Sequence, residues 1–182
     1  INAPNWLTLV FRIENGDWFD LQRVKLLDFR QELDLCRGIL SRFILFEDKD
    51  GRVTRIQQRR FVSMAEPNLA GLETTFTAEN WSGILHVISA LDGQVVNNGV
   101  KRYQQLNNQH LEPVITQSID RETILLKVET NQSHIGIAEA ARTRIFCGDE
   151  QNGLEPHVKI EPNYISQEYS IPLKKRNSVT VE

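Results

Sequence analysis

Four histidines, His86, His110, His134 and His157, are the first candidates for metal or proton chemistry, and neighbouring ones stand at least 23 residues apart. No two share the short spacing by which one strand or helix presents a pair of imidazoles to zinc. His86, inside "ILHVIS", reads as a hydrogen-bonded residue in or beside the core. Carboxylates number 24, and a glycosidase needs only two facing each other across a sugar ring. That pairing is spatial, and nothing in the sequence selects two from the set. The chain has no GxSxG, Walker or GxGxxG pattern, and neither Cys36 nor Cys147 sits in an activated-thiolate signature. No catalytic residue and no metal ligand is assigned.

Two stretches remain as binding candidates. "RVTRIQQRRF" places Arg52, Arg55, Arg59 and Arg60 close together. Guanidinium groups fork onto phosphate or carboxylate, so the sharp reading is a phosphate-binding strand. The plainer reading is a solvated or interdomain strand face, ion-paired to acidic residues such as those of 28–34. In "ENWSGILHVISALDGQVVNNGV", Asp92, Asn97 and Asn98 could hold sugar hydroxyls or turn the chain. Turn chemistry is the better account of Asp92 and Asn98, because each precedes a glycine. Asn80 and Asn131 lie in Asn-x-Ser patterns, which are not read in a cytosolic protein.

The elements that must position these residues are strands. Asn15-Gly16, Asp50-Gly51, Asp92-Gly93, Asn98-Gly99 and Asn152-Gly153 punctuate the chain, and such steps suit type I′ hairpin turns. "WLTLVFRIENGDWFDL" reads as one hairpin and "ILSRFILFEDKDGRVTRIQQRRFV" as a longer one. Residues 26–35 alternate cleanly, with Leu27, Phe29, Leu33 and Leu35 on one side, which predicts a half-buried strand. Residues 39–46 carry apolar groups on both faces, and this strand is the candidate for cover by a second domain. Further strands are predicted at 52–63, 69–77, 83–91, 110–118, 122–130, 134–146, 156–161 and 167–173. "IGIAEAARTRI" reads as strand, and "VKRYQQLNN" as the place for one helical turn. Ten or more strands at this spacing imply an all-β, two-sheet antiparallel sandwich.

The bulk numbers agree. The 182 residues suit a single domain, and 40% apolar content supports a core. A net charge of −3 argues against nucleic acid or an anionic membrane as partner. No apolar run is long enough for a membrane helix. Two cysteines are too few for a disulfide scaffold, which points to reduced thiols in the cytoplasm, one Cys36–Cys147 pairing being the alternative. The chain opens on "INAPNWLTLVF" and closes on "IPLKKRNSVTVE", both strand-like, so both ends are expected to be cuts through a longer polypeptide. Such a chain should expose an apolar or arginine-lined patch.

Whole segments carry a family resemblance: "INAPNWLTLVFRI", "FRQELDLCRGILSR", "QQRRFVSMAEPNLAGL", "ENWSG", "SALDGQVVNNGVKRY" and "IGIAEAARTRI". Together, in this order, they resemble the N-terminal domain of glycoside hydrolase family 65, which includes trehalose, maltose and kojibiose phosphorylases and some α-glucoside hydrolases. Cys36 departs from the pattern, standing where a basic residue is expected. The resemblance implies a galactose-mutarotase-like supersandwich truncated at its N-terminal strands. It implies a non-catalytic domain (residues 1–182) of a multidomain enzyme whose general acid and phosphate site lie in a downstream (α/α)6 barrel. That barrel, an α-glucoside disaccharide and a second subunit are the implied partners. The resemblance implies no cofactor, with inorganic phosphate as co-substrate if the enzyme is a phosphorylase. Asp92, Asn97, Asn98, Arg102, Tyr103, Arg59 and Arg60 become candidates for carbohydrate or interdomain contact. Two other functions stay open: a stand-alone carbohydrate-binding module using Trp6, Trp18 or Trp81, and a mutarotase-type epimerase drafting His86 or His110.

Overall fold

The computed structural model describes residues 2–96 and 108–182. Period-two alternation makes strands, and strands are what the described residues form, with no helix among them. In chain order they are β1 (Asn5–Ile13), β2 (Lys25–Asp34), β3 (Ile39–Glu47), β4 (Val53–Val62), β5 (Ala70–Ala78), β6 (Gly83–Asp92) and β7 (Leu111–Ser118). Then follow β8 (Thr123–Thr130), β9 (Gly136–Arg142), β10 (Ile145–Cys147), β11 (Glu150–Gln151), β12 (His157–Glu161), β13 (Tyr164–Leu173) and β14 (Ser178–Val181). Three sheets result, ordered β1-β6-β13-β12, β11-β10-β14-β5-β4-β3-β2 and β7-β8-β9. The all-β sandwich class is as expected.

The chain divides into two compact units. The first comprises Ile1–Val10, Val87–Thr143 and Glu155–Tyr169. Its core is Leu91, Leu111, Ile124, Leu126, Val128 and Ile165, with Trp6 packed against it. Every second residue of β8 is buried, so Ile124, Leu126, Val128 and Thr130 face inward. Gly93 sits against this core: its N–H donates to the Asn163 carbonyl at 2.7 Å, and a Cβ there would lie 3.1 Å from Val128 Cγ1. A side chain there would force its neighbours to give by a few tenths of an ångström. Close approach explains that glycine.

The second unit comprises Phe11–His86, Arg144–Leu154 and Ser170–Glu182. Its strands β2 to β5 form an antiparallel meander, as the second predicted hairpin required. Cross-strand register aligns Ile44, Ile56, Phe76 and Val179 in one inward row. Phe46 and Phe76 are each 1% exposed, and Phe11 and Phe19 join them in an aromatic cluster. Trp81, also buried, donates its indole N–H to Thr54 Oγ1 at 2.9 Å, so its polar end is satisfied.

Several expectations fail here for identifiable reasons. "WLTLVFRIENGDWFDL" is not a hairpin: β1 lies beside β6, and residues 17–20 are not strand. Phe19 instead donates its N–H to the Phe11 carbonyl and stacks its ring on Phe11 with centroids 4.7 Å apart. Burying that ring folds the segment back as a loop. The type I′ expectation also fails at the four described steps. Only Gly51 of these steps has positive φ (75°), and Glu14 takes the left-handed place near Asn15-Gly16 (φ 53°). At Asp50-Gly51 the Asp48 carboxylate accepts from the amides of Asp50 (2.9 Å) and Arg52 (3.0 Å). Gly51 N–H donates to the Asp48 carbonyl, a turn longer than two residues closed by a left-handed glycine. Predicted strand 134–146 is split into β9 and β10 by Thr143 and Arg144.

The largest departure is β2. Its alternation is real, but the strand is exposed along nearly its whole length, not half-buried. It ends the seven-stranded sheet, so its apolar side chains have neighbours on one flank only. Exposed apolar groups line β2, among other places, and not β3, which is flanked by β2 and β4 and keeps Ile44 and Phe46 buried.

Candidate functional site

Alternation along β4 puts Arg55, Gln57, Arg59 and Phe61 on one face of the sheet and Thr54, Ile56, Gln58 and Arg60 on the other. The two adjacent arginines are thereby separated. Arg60 aligns with Leu40 and Leu72, while Arg59 stands between Ser41 of β3 and Glu73 of β5. Glu73 accepts two hydrogen bonds from the Arg59 guanidinium, both 2.9 Å long. The Glu73 hydrogen bonds, then its charge, hold Arg59 above the ordinary arginine range. Arg55 reaches Glu79 at 2.8 Å, and Arg52 reaches Asp48 at 2.7 Å and Asp50 at 2.6 Å.

These partners differ from the acidic run 28–34 named by the sequence. The reason is sheet geometry: β2 is separated from β4 by β3, and two strand spacings put it about 10 Å away. Arg30, Glu32, Phe43, Gln57, Arg59 and Glu73 line an open concavity of about 370 Å³. Arg42 lines it as well, so three guanidinium groups face two carboxylates, and Arg59 is already forked on Glu73. The one excess positive charge, with the neighbouring amides and hydroxyls, suits a polar or anionic group. Phe61 lies on the same face over Gly71, where a Cβ would meet its ring at 2.5 Å.

The other predicted residues are scattered. Asp92 belongs to the first unit, and its Oδ1 accepts the Gln94 N–H at 2.8 Å. This is an Asx turn, the turn reading of that residue. Asn97, Asn98, Arg102 and Tyr103 lie outside the described residues, as does most of the segment expected to hold a helical turn. His86 is half-buried with Nδ1 3.1 Å from Ser170 Oγ, as a hydrogen-bonded residue beside the core should be. His110 contributes its carbonyl to the Asn131 N–H at 3.0 Å. Of the tryptophans, Trp81 and Trp6 are core or core-packed, and Trp18 is 38% exposed with the Arg12 guanidinium 4.7 Å over its ring. Cys36 and Cys147 are free and exposed. Among the described residues, no group of three or more His, Cys, Asp or Glu could hold a metal ion. No helix of the described residues is long and apolar enough to cross a membrane.

One titratable group escaped the sequence reading. Glu139 occupies an inward position of β9, aligned with Leu126 and set between Ile137 and Ala141. Its Oε2 is buried without a hydrogen-bond partner, and burial pushes the carboxyl up to about 7. The clue was in "GIAEAAR", where Glu139 shares the parity of Ile137 and Ala141. Tyr169 is likewise buried, and desolvation, assisted by the Glu122 charge, pushes its phenol up to about 12.

The sequence matches the glycosyl hydrolase family 65 N-terminal domain over residues 1–182. The chain belongs to that family. An uncharacterized glycosyl hydrolase of Mycobacterium tuberculosis is 41% identical to this family-65 domain over 182 residues, which are 100% of this chain and 14% of the relative. Kojibiose phosphorylase of Thermoanaerobacter brockii is 30% identical over 146 residues, 80% of this chain and 18% of the enzyme. The α,α-trehalose phosphorylase of the same organism is 31% identical over 83 residues, 46% of this chain and 11% of the enzyme. The family-65 domain therefore spans less than a fifth of these curated relatives.

Proposed function

We propose that this family-65 domain is the non-catalytic N-terminal sandwich of a cytoplasmic α-glucoside phosphorylase or hydrolase. It packs on a separate (α/α)6 catalytic barrel, shapes the entrance to its active site and takes part in a homodimer. The observation that carries the reading is the match of the whole chain to an N-terminal domain that forms a small share of disaccharide phosphorylases. The polar face around Arg59 supports it. Its arginines and carboxylates are held by one another in fixed geometry, as an interdomain surface needs. Free, exposed Cys36 and Cys147 suit a reducing compartment. Inorganic phosphate is the co-substrate if the enzyme is a phosphorylase.

Removing residues 1–182 from the complete polypeptide is expected to lower turnover of kojibiose, trehalose or maltose about tenfold or more, by displacing the elements that frame the catalytic groups. A circular-dichroism spectrum keeping its helical signal shows that the barrel survives the deletion. Undiminished kcat in the shortened enzyme would overturn the reading. A carbohydrate-binding role is the second reading, and exposed Trp18 is the observation in its favour. The same deletion separates the two, since loss of a binding module raises KM and leaves kcat in place.

A further inference from the structure

Among the described residues the outer edge of β2 has no strand partner, and its charged residues are interspersed with exposed apolar ones. Leu26, Leu27, Phe29 and Leu33 are 44, 43, 43 and 56% exposed, and Leu35 just beyond the strand is 84% exposed. Natural edge strands are blunted by proline, lysine or bulges. β2 has one irregularity, between Leu26 and Asp28, and its one lysine, Lys25, is bonded to Glu47 at 3.0 Å. From Phe29 to Asp34 the strand pairs regularly with β3 and leaves a straight free edge.

We propose that a second copy of this chain pairs antiparallel with β2 about a two-fold axis at Gln31, extending the seven-stranded sheet across two subunits. The side chains select that register. An axis at Gln31 sets Phe29 against Leu33 twice, because a two-fold contact repeats every pair. On the polar face it sets Arg30 against Glu32, again twice. Opposed aromatic–aliphatic and opposite-charge pairs are the favourable units of an antiparallel ladder. Within the regular stretch the one like-charge pair is Asp28 with Asp34. Asp34 is already occupied, accepting from the amides of Cys36 and Arg37 at 3.0 Å each, with the Arg37 guanidinium 3.8 Å away. Neighbouring registers are worse. An axis at Arg30 opposes Arg30 to itself and Asp28 to Glu32. An axis at Glu32 opposes Glu32 to itself, and one at Leu33 opposes Glu32 to Asp34. An axis at Phe29 sets Leu26 against Glu32 and draws the irregular end of the strand into the centre. The inference gives the homodimer of the proposed function a location, and rests on that reading only for the dimer's place in the enzyme.

The test is the mass of the chain and of the complete polypeptide by sedimentation equilibrium. A dimer is expected. Arg30→Glu alone, or Glu32→Arg alone, places like charges together twice and should weaken association about tenfold or more. The double exchange restores the opposed pair with reversed signs and should recover the dimer. Both positions are exposed, and an unchanged circular-dichroism spectrum confirms each variant's fold. A monomer at all concentrations overturns the proposal, as does a dimer indifferent to the single exchanges or not recovered by the double one. Because mass is read independently of turnover, failure here leaves the family-65 enzyme reading to its own assay.

Discussion

Phe46→Ala is expected to destabilise the fold by about 3–5 kcal/mol, a large part of the stability of an ordinary domain. Phe46 is 1% exposed, and its ring centroid lies 4.8 Å from Phe19 and 6.2 Å from Phe11. Truncation removes the transfer free energy of the ring and opens a cavity that flat, hydrogen-bonded strands cannot collapse to fill. It also strands Phe19, a loop residue that this aromatic cluster holds in place. Urea unfolding should show a lower midpoint with an unchanged slope, since the same surface is exposed on unfolding. Met64→Ala, 96% exposed just beyond β4, is the internal control and should move stability by about 0.5 kcal/mol or less. Equal effects at the two positions would mean that the core has been misplaced.

Glu139→Gln is expected to stabilise the protein at pH 8 and to do little at pH 4.5. Burial raises the native carboxyl to about 7 from an unperturbed value of 4.5. Between those values the native state holds a proton that the unfolded state has released. Stability is therefore full below about 4.5 and is lost as pH rises through about 7. Glutamine keeps the shape, cannot ionise and escapes the loss. The carboxyl is only partly buried, so the full shift overstates the effect, and about 1–2 kcal/mol at pH 8 is the expected gain. In a chain of this size that is about 3–6 °C in Tm. Calorimetry at both pH values reads it out. A gain of the same size at pH 4.5 would show that packing, not charge, is responsible.

Much of the architecture was legible because hydrophobic alternation reports strand identity directly. β4, β5, β6, β7 and β8 fall within a residue or two of where the pattern put them. Alternation reports which side chains share a face; it does not report whether anything covers that face. The same pattern occurs in β8, packed in the core, and in β2, open at a sheet edge. Neighbour choice was illegible for a related reason. "WLTLVFRIENGDWFDL" contains strand-like residues on both sides of a turn signal, and only the aromatic cluster around Phe46 decides that Phe19 folds inward as a loop.

The candidate site was legible to the level of its residue types. Arg59 could be singled out, and alternation separates it from Arg60. Its partner Glu73 depends on β5 lying beside β4, which no local pattern states. Glu139 was hidden by the convention that a charged residue marks a wet position. Its strand parity pointed inward all along. Family membership came from the order of long segments, which carry far more information than any pair of residues.

The proposed role is tested most directly by incubating the purified 182-residue chain with kojibiose, trehalose and maltose, with and without inorganic phosphate, and measuring released glucose and glucose 1-phosphate. A domain that supports catalysis without performing it releases neither, while the complete polypeptide turns over one of the disaccharides under the same conditions. Release of either product by the chain alone would contradict a non-catalytic role and would place a sugar-cleaving site within these strands.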